Sequence, residues 1–387
     1  MKLREPATSK RLVRAVGEDA ISFICGLPGV PVPLETLKTL FQLRRESSPY
    51  NFVDWELRNW MDIYCKQPGN LVTLSYQGKE YRLPEVLILD NTSLMYSLSD
   101  VRLHLQPSLF QLRPEIRALT EIPFQRLAKV LRYSNEENLR LVRITKKQGK
   151  LDLTLQRVLY EDYLRTNLVL DAKIQGMHDS LRQFLHHDRA LENLNESPLA
   201  NNLGINILLL TADGSLIIQQ RSKKVALRRG EFCPSGSGTV SLEDVPEDIT
   251  LDHMHKLREA LEEIGIRSSD VGSQSIVLLG ITRELIRGGE PEMFLSAVTS
   301  LSQEEVRAKQ IHARDKWEVK KLAFHSLGRV ALGPLGSSYA THEFLRAIDG
   351  FLDRFLEHAS IPLLTNIALW ADYRLKTAGT VQRVGGA

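Results

Sequence analysis

Residues 258–266 read Arg-Glu-Ala-Leu-Glu-Glu-Ile-Gly-Ile, and this run indicates more about fold and chemistry than any other stretch. A helix rotates about 100° per residue, so three carboxylates fall on one arc here: Glu259, Glu262 and Glu263. The opposite side is apolar and predicts packing against a core; it carries Met254, Leu257, Leu261 and Ile264. Clustered carboxylates repel one another unless a cation lies among them, and hard divalent cations prefer oxygen ligands. The run therefore predicts a helix with one buried face and a candidate metal site on the other.

The residues on either side of this helix predict strands and turns. Gly265 follows the helix, at a position that commonly takes a left-handed conformation. Residues 205–210 are apolar apart from Asn206, and such a run is typical of a buried strand. Asp213-Gly214 then predicts a hairpin that leads into a strand over residues 215–221. Residues 275–281 and 293–298 predict two further strands around a turn at Gly288-Gly289. The pattern indicates an α/β fold.

The first part of the chain is predicted to be a separate unit. We place the division at residue 137, which gives an α+β domain over residues 1–137 and an α/β domain over residues 138–387. Residues 34–43 and 54–64 have helical spacing, and Gln77-Gly78 predicts a hairpin. These elements fit either a winged-helix arrangement or an ordinary α+β module. Residues 172–200 are polar with helical spacing, and residues 341–358 and 364–375 predict helices near the C-terminus.

Composition and charge narrow the class of protein. Hydrophobic residues make up 43% of the chain and charged residues 25%, which are ordinary globular values. A net charge of +3 gives no support to a large nucleic-acid surface. A transcriptional regulator would need a basic recognition helix near the N-terminus, for which Arg44-Arg45 is a thin basis. Three distant cysteines, no apolar leader and no long apolar run predict a cytoplasmic protein without a membrane partner.

Residues 258–266 match the second half of the Nudix box, which reads Arg-Glu-apolar-x-Glu-Glu-x-Gly-apolar in that family. The segment Pro-Ser-Gly-Ser-Gly at residues 234–238 resembles the Pro-Gly-Gly start of the box. Residues 279–284, 288–294 and 160–167 resemble the UDP-sugar pyrophosphatase branch of the family known in animals. The resemblance covers residues 138–340, approximately. It implies a Nudix α/β/α sandwich around a mixed sheet, and a possible homodimer.

The resemblance also implies a reaction and roles for individual residues. The reaction is hydrolysis of a nucleoside diphosphate linked to another group, with Mg²⁺ or Mn²⁺ as cofactor and a UDP-sugar as the first substrate to try. Glu262 and Glu263 would be the principal metal ligands and Glu259 a further one, while one of these glutamates or Glu292 would act as the base. Arg258 would orient a box glutamate through a charge-assisted pair. The proposed substrate contacts are Arg221, Arg283, Arg287, Gly236 and Gly238.

The first half of the box departs from the family pattern. Counted from Gly238, the acidic position falls on Asp244, with Glu243 beside it as the other candidate metal ligand. Thirteen residues instead of seven then separate Asp244 from Arg258, which indicates a six-residue insertion near residues 245–250. The alternative function is therefore a catalytically silent nucleotide-sensing or partner-binding module. For the helix, the alternative is a solvated acidic face, and for Gly236 and Gly238 it is a tight turn without a ligand.

Overall fold

The computed structural model describes residues 63–66, 69–129, 131, 133–172, 174, 180–222, 230–272, 275–310 and 319–384. Within these ranges the fold is mixed α/β, with two mixed sheets. The predicted helix over residues 34–43 and all but the end of the one over residues 54–64 lie outside the described residues, as does Arg44-Arg45.

The strands and helices follow one another in chain order. The strands are β1 (Asn70–Tyr76), β2 (Lys79–Asp90), β3 (Val101–Leu109), β4 (Glu137–Lys147), β5 (Lys150–Leu159), β6 (Gly204–Leu210), β7 (Ser215–Arg221), β8 (Phe232–Cys233), β9 (Gly236–Thr239), β10 (Ile249–Thr250), β11 (Val277–Glu284), β12 (Glu290–Val298) and β13 (Val319–Ser326). The helices are α1 (Pro114–Ala128), α2 (Tyr160–Arg165), α3 (Leu181–Leu185), α4 (Lys256–Glu262), α5 (Gln303–Gln310), α6 (Ser338–Phe355) and α7 (Ile361–Val384). None of these helices is long and apolar enough to cross a membrane.

The larger sheet contains nine strands of the described chain, and its main path runs β1-β2-β11-β12-β6-β7-β13. Strand β9 pairs with β6, and β8 pairs with β7. The neighbours β12 and β6 are parallel, whereas the other pairs are antiparallel. The smaller sheet has the order β10-β3-β5-β4, in which β3 and β5 are parallel. Both sheets are therefore mixed, which is consistent with the predicted α/β class.

Successive side chains of β6 point to opposite faces of the sheet and pack into two different cores. Ile205, Ile207 and Leu209 lie in one core, together with α4 and the smaller sheet. Leu208 and Leu210 lie in the other core, which α6 and α7 cover. The apolar run predicted as a buried strand is thus buried on both faces, because other elements pack against each side of the sheet.

Strands from both sides of residue 137 share both sheets. Strand β2 pairs with β11, with Leu87 opposite Thr282, and β3 pairs with β5 along most of its length. The hairpins predicted at Gln77-Gly78 and Asp213-Gly214 are present as β1–β2 and β6–β7. The helical prediction for residues 172–200 was wrong, since among the described residues there only Leu181–Leu185 is helical. Backbone groups of this segment bond to other parts of the chain instead, as Arg182 N does to Leu170 O.

Helix α4 approaches β9 closely, and glycine makes this possible. A Cβ atom at Gly236 would lie 2.6 Å from the carbonyl oxygen of Ala260 in α4. A Cβ atom at Gly238 would lie 2.6 Å from Cε of Lys256, one turn earlier. The strand therefore presents no side-chain carbon to the helix at these two positions, and this contact fixes where the α4 side chains project.

We expect Gly236→Ala to lower the free energy of unfolding by about 1–3 kcal/mol, because the added methyl group must displace backbone in a packed contact. Gly350→Ala is the matched control, since this position lies inside α6 and a Cβ there meets no atom within 4 Å. It should raise stability by about 0.5–1 kcal/mol through helix propensity. Urea denaturation of both variants measures the difference, and equal effects would contradict the close approach of α4.

Candidate functional site

Helix α4 presents its polar side to the surface because its apolar side is held in a core. Leu257, Ala260 and Leu261 are at most 2% exposed and pack in the core between the two sheets. Gly265 follows with a left-handed φ of 82°. There Ile266 N donates to Leu261 O over 3.1 Å and Gly265 N to Glu262 O over 2.9 Å, which is a Schellman ending. The helix is thereby terminated just beyond its glutamates.

Asp244, in a turn before α4, and two residues at the start of α4 bring their ligand atoms together. One ligand atom each from Asp244, His255 and Glu259 lies within 4.8 Å of the others. Asp244 is buried, whereas the other two side chains are exposed. The Nδ1 atom of His255 lies 3.7 Å from Oδ1 of Asp244. Two carboxylates and an imidazole form a donor set that suits a divalent cation. We call this set the α4 acidic group.

Asp244 reaches this group because a short turn directs its side chain inward. Its Oδ2 atom accepts hydrogen bonds of 2.8 Å from both the backbone N and the Oγ of Ser241. The pair forms a capping box around the 3-10 turn Leu242–Asp244. Oδ2 is thus occupied, and Oδ1 faces His255. Glu243, the other candidate for this position, is exposed and lies outside the group.

Lys256 lies beside the same carboxylates. Its Nζ atom donates to Oε2 of Glu259 over 2.8 Å, and its side chain is 13% exposed. Burial lowers the pKa of Lys256, but the bond to Glu259 and the fields of Glu259, Glu263 and Asp244 outweigh burial and raise it. The ammonium therefore stays charged and partly neutralises the α4 acidic group.

The remaining glutamates predicted on α4 lie about one turn beyond Glu259. Glu262 and Glu263 are partly exposed and do not belong to the three-residue α4 acidic group. The side chain of Arg258 lies outside the part of the chain that the structure describes. Of the predicted metal ligands, Glu259 belongs to this group. Asp244, which the sequence left as the alternative to Glu243, belongs to it as well, whereas His255 was not predicted as a ligand.

A second acidic group lies within the larger sheet. Ligand atoms of Glu284, Glu290 and Glu292 lie within 4.8 Å of one another, and all three residues are buried. Arg287 contacts two of these carboxylates, at 3.6 Å from Glu284 and 3.2 Å from Glu290. Its buried guanidinium also donates to the hydroxyl of Tyr163 over 3.0 Å. We call this set the β12 acidic group.

Hydrogen bonds and pKa shifts indicate how the β12 acidic group tolerates burial. Tyr163 donates to Oε2 of Glu290 over 2.8 Å. Burial raises the pKa of Glu290 from 4.5 to about 7; Arg287 opposes this rise, and the neighbouring glutamates add to it. Glu290 therefore carries a proton for much of the time near neutral pH, which reduces the repulsion within the group.

Glu292, predicted as a possible base, belongs to the β12 acidic group and accepts a hydrogen bond from Asn206 Nδ2. Along β12, Met293 faces the core that contains α4, and Phe294 faces the core under α7. Alternation therefore places Glu292 on the α7 side of the sheet, opposite to α4. The structure does not bring Glu292 into the α4 acidic group.

The predicted phosphate contacts are largely engaged within the protein. Arg283 donates to the carbonyl oxygens of Gly289 and Glu192, at 3.1 and 2.6 Å, and is 5% exposed. Arg287 lies in the β12 acidic group. Arg221, at the end of β7, is partly exposed. Gly236 and Gly238 lie beneath α4, where their lack of a side chain is explained by helix packing.

Sequence reasoning missed His255 and Lys256, and it left Asp244 undecided against Glu243. Asp244 carried a usable signal, because Ser241-x-x-Asp244 has capping-box spacing and predicts that the aspartate turns back toward its own turn. His255 and Lys256 carried none, since their role depends on the approach of the Asp244 turn to α4. No family model matches the chain, and no curated protein matches it.

Glu290 should make stability depend on pH. Its pKa is raised from 4.5 to about 7, so the folded state binds more protons than the unfolded state between these values. The free energy of unfolding should consequently fall as pH rises from about 4.5 to 7. Urea denaturation at pH 5 and pH 8 should show a smaller fall for Glu290→Gln than for the wild type. Glu247→Gln, at an exposed loop residue, should retain the wild-type profile, and parallel profiles for wild type and Glu290→Gln would contradict this assignment.

Proposed function

We propose that the chain is a Nudix-type hydrolase with an α/β/α sandwich, which cleaves a nucleoside diphosphate linked to another group. The proposal is supported by the resemblance of residues 258–266 to the Nudix box and by the mixed α/β architecture. The observation that carries it is the α4 acidic group, in which Asp244 and Glu259 meet beside a strand of small residues. A UDP-sugar is the first substrate to try, with UMP and a sugar phosphate as products.

The α4 acidic group fits a divalent cation such as Mg²⁺ or Mn²⁺. Two carboxylates offer oxygen ligands, and His255 offers a nitrogen that suits Mn²⁺ better than Mg²⁺. A bound divalent ion supplies neutralisation of the pyrophosphate charge and acidification of a bound water. Asp244 and Glu259 would hold it, with Glu262 and Glu263 as the further ligands implied by the resemblance.

The other residues of the site have roles that follow from their positions. Lys256 donates one hydrogen bond to Glu259, and an ammonium has three donors, so it can also contact a phosphoryl oxygen. Glu262 or Glu263 would accept the proton of the attacking water, because both project from the exposed side of α4. Glu292 is a poor choice for this role, since it is buried on the opposite side of the sheet. Among the predicted arginines, Arg221 remains for a substrate phosphate.

A second candidate function is a catalytically silent module that binds a nucleotide. The observation in its favour is Lys256, whose ammonium already lies among the carboxylates and supplies a resident positive charge. In such a module the lysine would take the place of a metal and would bind the nucleotide phosphates directly. The hydrolase would need a divalent metal and would release two products. The silent module would need no metal and would release none.

Turnover separates the two functions. The full chain would be incubated with Mg²⁺ and a panel of UDP-sugars, ADP-ribose, dinucleoside polyphosphates and nucleoside triphosphates, and released nucleotides would be separated by chromatography. We expect hydrolysis of a nucleotide sugar that falls at least 100-fold in Glu262→Gln, because a ligand or base is removed.

Glu304→Gln, at an exposed residue of α5, is the control and should retain full activity. No turnover of any compound, combined with thermal stabilisation by one nucleotide, would establish the silent module instead.

Metal binding tests which acidic residue completes the site. Mn²⁺ titrations followed by electron paramagnetic resonance should show at least tenfold weaker binding in Asp244→Asn, because a buried ligand oxygen is lost. Glu243→Gln should bind Mn²⁺ within twofold of the wild type, since that side chain is exposed and lies outside the group. The reverse order would show that Glu243 is the ligand.

A further inference from the structure

A cavity of about 360 Å³ lies on the α7 side of the larger sheet. Its floor includes Leu210 and Val298, the last residues of the parallel neighbours β6 and β12. Its walls include Leu335, Trp370 and Arg374. The volume falls within the ~300–1,000 Å³ typical of small-molecule sites. Ligands in open α/β sheets commonly bind at the carboxyl ends of parallel strands, which is where this cavity lies.

The cavity is separate from the α4 acidic group. Leu210, Leu335 and Trp370 belong to the core under α6 and α7, whereas the apolar side chains of α4 belong to the core on the other face of the sheet. The sheet therefore lies between the two places. A ligand in the cavity would not contact the residues proposed for hydrolysis.

Arg374 provides the charge in the cavity wall. Its Nη2 atom donates to the carbonyl oxygens of Val330, at 3.2 Å, and Gly333. Its guanidinium carbon lies 5.9 Å from the ring centroid of Trp370 and 5.6 Å from that of Phe344. These contacts hold the side chain in place at the cavity.

Arg374 has no carboxylate partner within the described ranges. Within the same ranges, the Nε and Nη1 atoms of Arg374 have no hydrogen-bond acceptor. Burial lowers the pKa of Arg374, and the field of the neighbouring Tyr373 opposes this fall only in part. The cavity wall thus contains a fixed guanidinium with donors available.

The rest of the wall decides the shape of the ligand. Most of the lining is aliphatic or aromatic, including Val277, Leu332 and Pro334. Hydroxyl groups of Ser275 and Thr377 are directed to backbone carbonyl oxygens, at Gly272 and at Tyr373, and add little free polarity. A ligand that fits must therefore be apolar over most of its surface and negatively charged at one end.

We infer that this cavity binds an organic monoanion with an apolar body, whose carboxylate pairs with Arg374 and whose body lies against Leu210, Val298 and Trp370. Arginine suits a carboxylate because the guanidinium can donate two parallel hydrogen bonds to it. Both aliphatic and aromatic acids share this chemistry. The inference does not depend on the proposed hydrolysis, because it rests on different residues.

Isothermal titration calorimetry of the full chain tests the inference with octanoate, 1-naphthoate and the neutral octan-1-ol. We expect saturable binding of at least one acid at one site per chain, with octan-1-ol at least tenfold weaker than octanoate. Tighter binding of octanoate would assign an aliphatic acid, and tighter binding of 1-naphthoate an aromatic one. Glu262→Gln should bind the same acid within twofold of the wild type, so loss of hydrolysis and loss of this site are distinguishable.

Arg374→Gln should weaken binding of the acid at least tenfold and change binding of octan-1-ol less than twofold. Arg354→Gln is the matched control. This arginine of α6 also lies over an aromatic ring, Phe355, and donates to a carbonyl, that of Phe324, but it does not line the cavity. It should bind both compounds within twofold of the wild type.

Arg374 also supports two backbone carbonyl groups, so its replacement can disturb folding. Ala378→Phe provides a second variant, because it fills the cavity from α7 and retains the arginine. It should abolish binding of both the acid and octan-1-ol while circular dichroism shows a folded protein. The inference is overturned if neither acid binds the wild type saturably, or if Ala378→Phe binds the acid as the wild type does.

Discussion

The close contact between α4 and β9 is the constraint on which the candidate site depends. Gly236 lies against the backbone of Ala260, and Gly238 lies against the side chain of Lys256. A larger residue at Gly236 would move the helix away from the sheet, and the carboxylates would move with it. A larger residue at Gly238 would displace the end of the Lys256 side chain. The position of Glu259 relative to Asp244 is therefore set by a packing contact that has no charge of its own. The small residues that resemble a phosphate-binding turn in the sequence serve this packing in the fold.

The larger features of the fold could be predicted from local patterns, and the pairing of distant strands could not. The apolar run of β6 and the hairpin at Asp213-Gly214 are local, so the sequence predicts them. The pairing of β2 with β11 joins residues far apart in the chain, and no local pattern encodes it. The division at residue 137 was predicted from a change of sequence pattern. Strands from both sides of it share the two sheets, and a local pattern does not show such pairing. The helix predicted over residues 172–200 is not formed beyond Leu181–Leu185 in the described residues, because tertiary contacts outweighed the helical spacing.

Individual residues of the candidate site show the same limit: local spacing predicts some of them, and contacts between distant segments decide the others. Helical periodicity was enough to place Glu259 on the polar arc of α4. Counting along the chain could not choose between Glu243 and Asp244, because the insertion before α4 breaks the spacing. The choice depends on the hydrogen bonds from Ser241, which turn the aspartate inward. The arginines were equally ambiguous, since a guanidinium fits a carboxylate as well as a phosphate. Arg287 is committed to carboxylates of its own protein.

The two acidic groups differ in how their counter-charge is held, and this difference bears on where a metal can bind. Arg287 is buried, and it is fixed by Tyr163 and by two glutamates. Its removal from the β12 acidic group would leave buried carboxylates uncompensated, which is costly. The ammonium of Lys256, whose side chain is 13% exposed, is bonded to an exposed glutamate, and His255 beside it is exposed as well. This ammonium can move aside on its four-carbon stem without unburying the core. Displacement of the Lys256 ammonium by a divalent ion is therefore feasible at the α4 acidic group. Displacement of the Arg287 guanidinium is strongly disfavoured at the β12 acidic group.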